Sequence, residues 1–119
     1  VKVFWLDRER ALENVREGAR RLGSAKPQVL SVSLFGSLAE GRAVPGSDAD
    51  VLVLLSSSGV RFLDRPLEYL PFFSDCGIGV DLFCYTLDEA ELVPFAKNAL
   101  SHALTLWEQE GSARLAEGP

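Results

Sequence analysis

Gly36-Ser37, Asp48-Ala49-Asp50 and Asp81 are the residues of this chain best equipped for chemistry. They combine a small-residue turn that can accept phosphate with three carboxylates that can hold divalent cations. Ten residues separate Ser37 from Asp48, and Asp81 interrupts the apolar run from Ile78 to Tyr85. Glycine lets backbone approach a ligand closely, and the Ser37 hydroxyl with the amides of a helix start can hydrogen-bond phosphate oxygens. Carboxylates crowded within a few ångströms repel one another by about 4 kcal/mol per pair at 4 Å and an effective dielectric near 20. Against a domain stability of about 5–15 kcal/mol, that cost calls for a cation or a raised carboxylate pKa. Oxygen-only ligands without neighbouring Cys or His favour Mg²⁺ or Mn²⁺ over zinc or copper. Two such ions about 3.5–4 Å apart clamp the attacking and leaving oxygens of an in-line displacement at phosphorus.

Three strands must position these groups. Val29 to Phe35 alternates, with Leu30, Val32 and Leu34 on one face, and ends at Gly36-Ser37; Leu38-Ala39-Glu40 then begins a short helix before Gly41. Val51 to Leu55 is too short for a typical helix and rich in Val and Leu, so it reads as a buried strand. Asp48 and Asp50 flank its start, and residues two apart in a strand share a face. In Ile78 to Tyr85, Ile78, Val80, Leu82 and Cys84 form one face, with Asp81 on the other. Each feature alone has an ordinary reading: a turn at Gly36-Ser37, a solvated Asx turn after Pro45-Gly46-Ser47, an exposed edge-strand residue at Asp81. Together and in this order they point to a site.

The segment LFGSLAEGRAVPGSDADVLVLL with GVDLFCY resembles the minimal nucleotidyltransferases of the DNA polymerase β superfamily, and among them the MNT-type antitoxins that pair with HEPN toxins. The likeness runs from about Val29 to Tyr85. It implies a polymerase-β-like α/β (α+β) fold, a small mixed sheet flanked by helices. It also implies Mg²⁺-dependent transfer of NMP, AMP from ATP, to a hydroxyl acceptor, a tyrosine of a cognate HEPN toxin. Gly36 and Ser37 would bind the nucleotide; Asp48, Asp50 and Asp81 would hold two metal ions, with Asp81 also the general base. A contact-only antitoxin and an aminoglycoside-type small-molecule transferase are the competing readings. Leu38 and Glu40 stand where relatives often place a basic residue, and Ala49 where they carry a larger aliphatic one, which implies a looser core beneath the carboxylates.

Composition fits one domain over 1–119, with the motif core at 29–85 and a helical segment at 87–109. The 47% hydrophobic and 24% charged content is that of a globular protein with a single core. Twelve basic against seventeen acidic residues, net −5, disfavour a general nucleic-acid binder and suit a basic protein partner in a hetero-oligomer. No apolar run approaches a membrane span, and Val1 to Leu6 is too short for a signal peptide, so a cytoplasmic location is expected. Cys76 and Cys84 lack metal-ligand spacing and read as reduced thiols.

The scaffold has its own signals. Asp7 caps a helix through Leu22 with Ala11, Leu12, Val15, Ala19 and Leu22 as its apolar stripe and Gly23 as its stop. Arg61 to Leu70 suggests a short helix with Pro66 in its first turn, Arg61 and Arg65 being solvated or in reach of phosphate. Thr86 and Glu89 have capping-box spacing. Pro94 breaks the following helix, and a new start there aligns Ala96, Ala99, Leu100, Ala103, Leu104 and Trp107 in one stripe, with His102 on the surface. The tail from Gly111 reads as frayed.

Overall fold

The computed structural model describes residues 6–111; the readings of the first five residues and of the tail beyond Gly111 lie outside them. Helix α1 (Arg8–Ala25) leads to β1 (Val29–Phe35), the one-turn α2 (Gly36–Ala39) and β2 (Asp48–Leu55). A crossover follows, in which α3 (Pro66–Tyr69) sits between two 3-10 turns, Phe62–Asp64 and Leu70–Phe73. Then come β3 (Gly79–Thr86), α4 (Leu87–Leu92), α5 (Pro94–Ser101) and β4 (Leu104–Glu108). The strands lie in the order β3-β2-β1-β4, with β1 antiparallel to both neighbours and β2 parallel to β3. A parallel pair cannot be closed by a hairpin, which is why the β2–β3 connection is long. The expected mixed sheet flanked by helices is what forms.

Each face of the sheet has its own core. On one, Val32, Leu34, Val51, Val53, Leu82 and Cys84 pack with the stripe of α1 and with Tyr69 and Phe73. On the other, Leu52 and Tyr85 pack under Ala90 of α4 and Ala96 and Ala99 of α5. Leu30 departs from the expected alternation because the β1–β2 register shifts between Val29 and Ser31, which puts Val29 in the α1-side core. Among the described residues no helix is long and apolar enough to cross a membrane.

Helix α1 starts as expected, with the Asp7 carboxylate accepting from the Arg10 amide at 3.0 Å. It does not stop at Gly23 but runs on to Ala25. Gly23 is needed for packing instead: a Cβ there would enter the Trp107 ring system. Gly23→Ala should therefore lower the unfolding midpoint despite alanine's better helix propensity of about 1 kcal/mol, because overpacking costs about 1–3 kcal/mol. Urea denaturation followed by Trp107 emission measures it; a more stable variant would refute the packing role.

The helical segment expected over 87–109 is corrected. Pro94 separates α4 from α5 as read, but α5 ends at Ser101, and Leu104–Glu108 is a strand opposite β1. Leu104, Leu106 and Trp107 satisfy a helical stripe and also suit a strand, so pattern alone leaves the choice open. The unpaired edge of β1 decides it, since its backbone groups need partners. A register shift between Val32 and Ser33 lets Leu106 and Trp107 both reach the α1-side core. His102 caps α5 and is exposed, with Asn98 and Ser101 as its ring's hydrogen-bond partners.

Arg65 is also corrected. Its side chain is 7% exposed, neither solvated nor available to a phosphate. Nη1 and Nη2 donate to the two carboxylate oxygens of Glu89 at 2.6 and 3.1 Å, Nη1 also to the Cys84 carbonyl, and Nε to the Val60 carbonyl. Glu89 meanwhile completes the capping box with Thr86. One guanidinium thus joins the crossover, β3 and α4. The Arg65 guanidinium and the Thr86 amide hold the Glu89 carboxyl down at about 2. Arg61 is a surface residue paired with Asp64 at 3.0 Å. Cys76 and Cys84 are buried free thiols, and burial pushes Cys84 up to about 12, so neither suits nucleophilic or ligand chemistry.

Candidate active site

The end of β1 meets the starts of β2 and β3, and the sequence-predicted residues gather there. Asp50 is the cross-strand partner of Phe35 on β1 and of Asp81 on β3, so the three form a row on one face of the sheet. Asp48, two residues earlier on the same face, lies opposite Gly79. Both aspartates belong to β2 rather than preceding it, because the parallel pairing with β3 extends to Asp48. Asp48 and Asp81 are exposed and Asp50 is half-buried. Burial first, then the charges of Asp81 and Asp48, raise the Asp50 pKa from its ordinary value.

Gly36 opens α2 with φ of 76°, a conformation that disfavours a side chain, and a Cβ there would collide with the Asp50 carboxylate. Two independent constraints therefore demand glycine. Ser37 follows inside the same turn, which closes through Glu40 N–H to the Gly36 carbonyl and Arg42 N–H to the Ser37 carbonyl. The connection to β2 is held from α1, where Arg8 Nε donates to the Ala43 carbonyl at 2.6 Å. Gly36→Ala is expected to cut transfer activity by about 100-fold or more by displacing Asp50, on the scale that a small misplacement of reacting groups produces. A steady-state rate comparison reads it, and wild-type activity would contradict the close approach.

Gly79 was not singled out from sequence, although it serves the site as Gly36 does. A Cβ on Gly79 would meet the Asp48 carboxylate. The available signal was a glycine two residues before Asp81 on a strand parallel to that of Asp48, and it needed the register to be read. A cleft of about 460 Å³ opens beside Asp48 and includes Pro45, Ser47, Gly77 and Gly79. The larger groove, about 1130 Å³, lies between the β1–β4 side of the sheet and α4 and α5, and Asp48, Asp50 and Asp81 do not line it.

The donor set fits a hard divalent cation, being oxygen-only, and the two glycines leave room that side chains would fill. Among the described residues no three Asp, Glu, His or Cys side chains are gathered tightly enough to enclose an ion as they stand. Asp48, Asp50 and Asp81 share the face without closing on a common point, the arrangement that mutual repulsion favours.

Several solved structures share this architecture. A protein of Sulfolobus solfataricus assigned as a nucleotidyltransferase is 23% identical over 87% of this chain and 85% of its own, with a TM-score of 0.66. A toxin-antitoxin with AMP-PNP is 22% identical over 93% and 82%, at 0.56. A mutant of the toxin-antitoxin MntA-HpeT, with two aspartates two residues apart changed to glutamate, is 20% identical over 93% and 81%, at 0.54. At these identities the likeness is one of fold. No curated protein is significantly similar in sequence. Residues 12–103 match the nucleotidyltransferase domain, well over half of the chain, and the chain belongs to that family.

Proposed function

We propose that this domain transfers AMP from Mg²⁺-ATP to a hydroxyl of a partner protein, a tyrosine of a cognate HEPN-type toxin, and thereby acts as its antitoxin. The observation that carries the reading is the register of β2 and β3, which sets Asp50 against Asp81 with Asp48 beside them and Gly36 against Asp50. Support for the biological setting comes from the toxin-antitoxin neighbours, one with a bound ATP analogue and one altered at an aspartate pair spaced like Asp48 and Asp50.

Gly36 and Ser37 bind the triphosphate through backbone and hydroxyl. Asp48, Asp50 and Asp81 would hold two Mg²⁺ or Mn²⁺ ions, which would supply charge neutralisation at phosphorus and a more acidic acceptor hydroxyl. A carboxylate oxygen of Asp81, the exposed member of the row, takes the acceptor proton. The acceptor oxygen forms its bond to the α-phosphorus as the bond to the β-phosphate bridge breaks, and pyrophosphate leaves.

The test is incubation with Mg²⁺-ATP and the product of the neighbouring gene, with intact mass of that protein as readout. An added AMP on the partner, lost with Asp81→Asn and with Asp48→Asn/Asp50→Asn, is expected. An unmodified partner that wild type and variants neutralise equally would replace the enzyme reading with inhibition by contact.

A further inference from the structure

Three phenylalanines adjoin the carboxylate row without any part in the chemistry described. Phe35 is the cross-strand partner of Asp50, and Phe83 lies two residues beyond Asp81 on the same face. Phe95 comes from the first turn of α5 to complete the group. The ring centroids are 5.6 Å apart for Phe35 and Phe83, 5.8 Å for Phe35 and Phe95, and 5.3 Å for Phe83 and Phe95, all tilted or edge-on. These are favourable aromatic separations, so each ring holds the other two.

Phe35 and Phe83 are half-buried, whereas Phe95 is 47% exposed. An aromatic ring left so open forgoes the stabilisation that cover would bring. Its position is nevertheless fixed. Pro94 at the start of α5 restricts the backbone, and the two inner rings restrict the side chain.

We propose that Phe95, braced by Phe35 and Phe83, is the platform on which the base of the bound nucleotide stacks. The assignment rests on the nucleotidyl-transfer reading of the carboxylates and extends it to the base. Phe35 is the chain neighbour of Gly36, so a nucleotide whose phosphates lie on Gly36 and Ser37 carries its base within one nucleoside of these rings. Phenyl groups offer neither donor nor acceptor, so the platform reads the flat face of a base and not its edge. It favours purines over pyrimidines by stacking area and treats adenine and guanine alike.

The experiment is calorimetric titration, with Mg²⁺ and no acceptor, of ATP, GTP, CTP and inorganic tripolyphosphate into wild type, Phe95→Ala, Phe95→Leu and Phe95→Tyr. Phe95→Ala and Phe95→Leu should weaken ATP and GTP by a common factor of about tenfold or more, the scale of one lost base stack. They should leave tripolyphosphate unchanged, and Phe95→Tyr should keep wild-type affinities. Thermal melting checks that each variant is folded, and Phe95→Leu, which retains apolar volume, decides the matter if Phe95→Ala is not. Unchanged ATP affinity in the folded leucine variant, or equal losses for ATP and tripolyphosphate, overturns the proposal. Wild-type binding of tripolyphosphate as tight as that of ATP overturns the platform alone. Failure of wild type to bind either overturns the nucleotide reading of Gly36 and Ser37, and the platform with it.

Discussion

Asp50→Asn is expected to slow nucleotidyl transfer by about 1,000-fold or more and, in metal-free protein at neutral pH, to raise the melting temperature. On the proposed mechanism Asp50 helps to organise charge at the reacting phosphorus; losing such a group removes about 3–4 kcal/mol of transition-state stabilisation, and 1,000-fold corresponds to about 4 kcal/mol. Stability moves the other way because the folded protein disfavours this carboxylate's charge. Burial raises its pKa first, and Asp81 and Asp48 raise it further. For a carboxyl group raised on folding, the favourable contribution is present below the unfolded value of about 3.9 and is lost as pH rises through the folded value. The amide has no charge to desolvate, so its advantage appears above that window and vanishes in acid. Single-turnover rates and scanning calorimetry in chelator at pH 7 and pH 3.5 test both halves. A variant that melts below wild type at pH 7 would show that Asp50 is held by favourable contacts instead.

The largest loss of stability is expected from Arg65→Ala, about 1–3 kcal/mol, the usual cost of leaving a buried acceptor without its donor. The guanidinium is 7% exposed and serves both Glu89 oxygens and the carbonyls of Cys84 and Val60. Without it two carbonyls lose a donor and the capping carboxylate loses its counter-charge. Acid should expose the same link. Glu89, held at about 2, contributes stability that is full above its ordinary value of 4.5 and is lost as pH falls through about 2. Its side chain is 37% exposed, so solvent screens part of that contribution. Urea unfolding of wild type and Arg65→Ala at pH 7 and pH 2.5 should give a difference that narrows in acid. A loss under 1 kcal/mol at pH 7 would mean that the pair is only a surface contact.

The shared face of the three carboxylates was readable because strand alternation is a strict rule. Once Val51–Leu55 and Ile78–Tyr85 are taken as strands, the faces of Asp48, Asp50 and Asp81 follow. What alternation cannot supply is register, and register is what pairs Asp50 with Asp81 and Asp48 with Gly79. Leu104-Thr105-Leu106-Trp107 suits two periods equally, and the open edge of β1, a property of the assembled sheet, selects the strand. Arg65 looks like any surface arginine in a Pro-containing turn. Only the path of the crossover over β3 and α4 buries it. Gly23 was read as punctuation because local rules do not see Trp107, which arrives from the far end of the described chain.

The placement of β4 also sets an order of events during synthesis. β1 carries Gly36 at its end and is made early, yet one of its edges is filled by residues among the last of the described chain. A nascent chain that stops short of Leu104 can pair β1 with β2 and β2 with β3, and so can align all three carboxylates, while the other edge of β1 stays open to any strand nearby. Until Leu104–Glu108 has emerged, the open edge belongs to β1, the strand that leads into Gly36; once β4 is in place that edge is moved one strand away from the carboxylates.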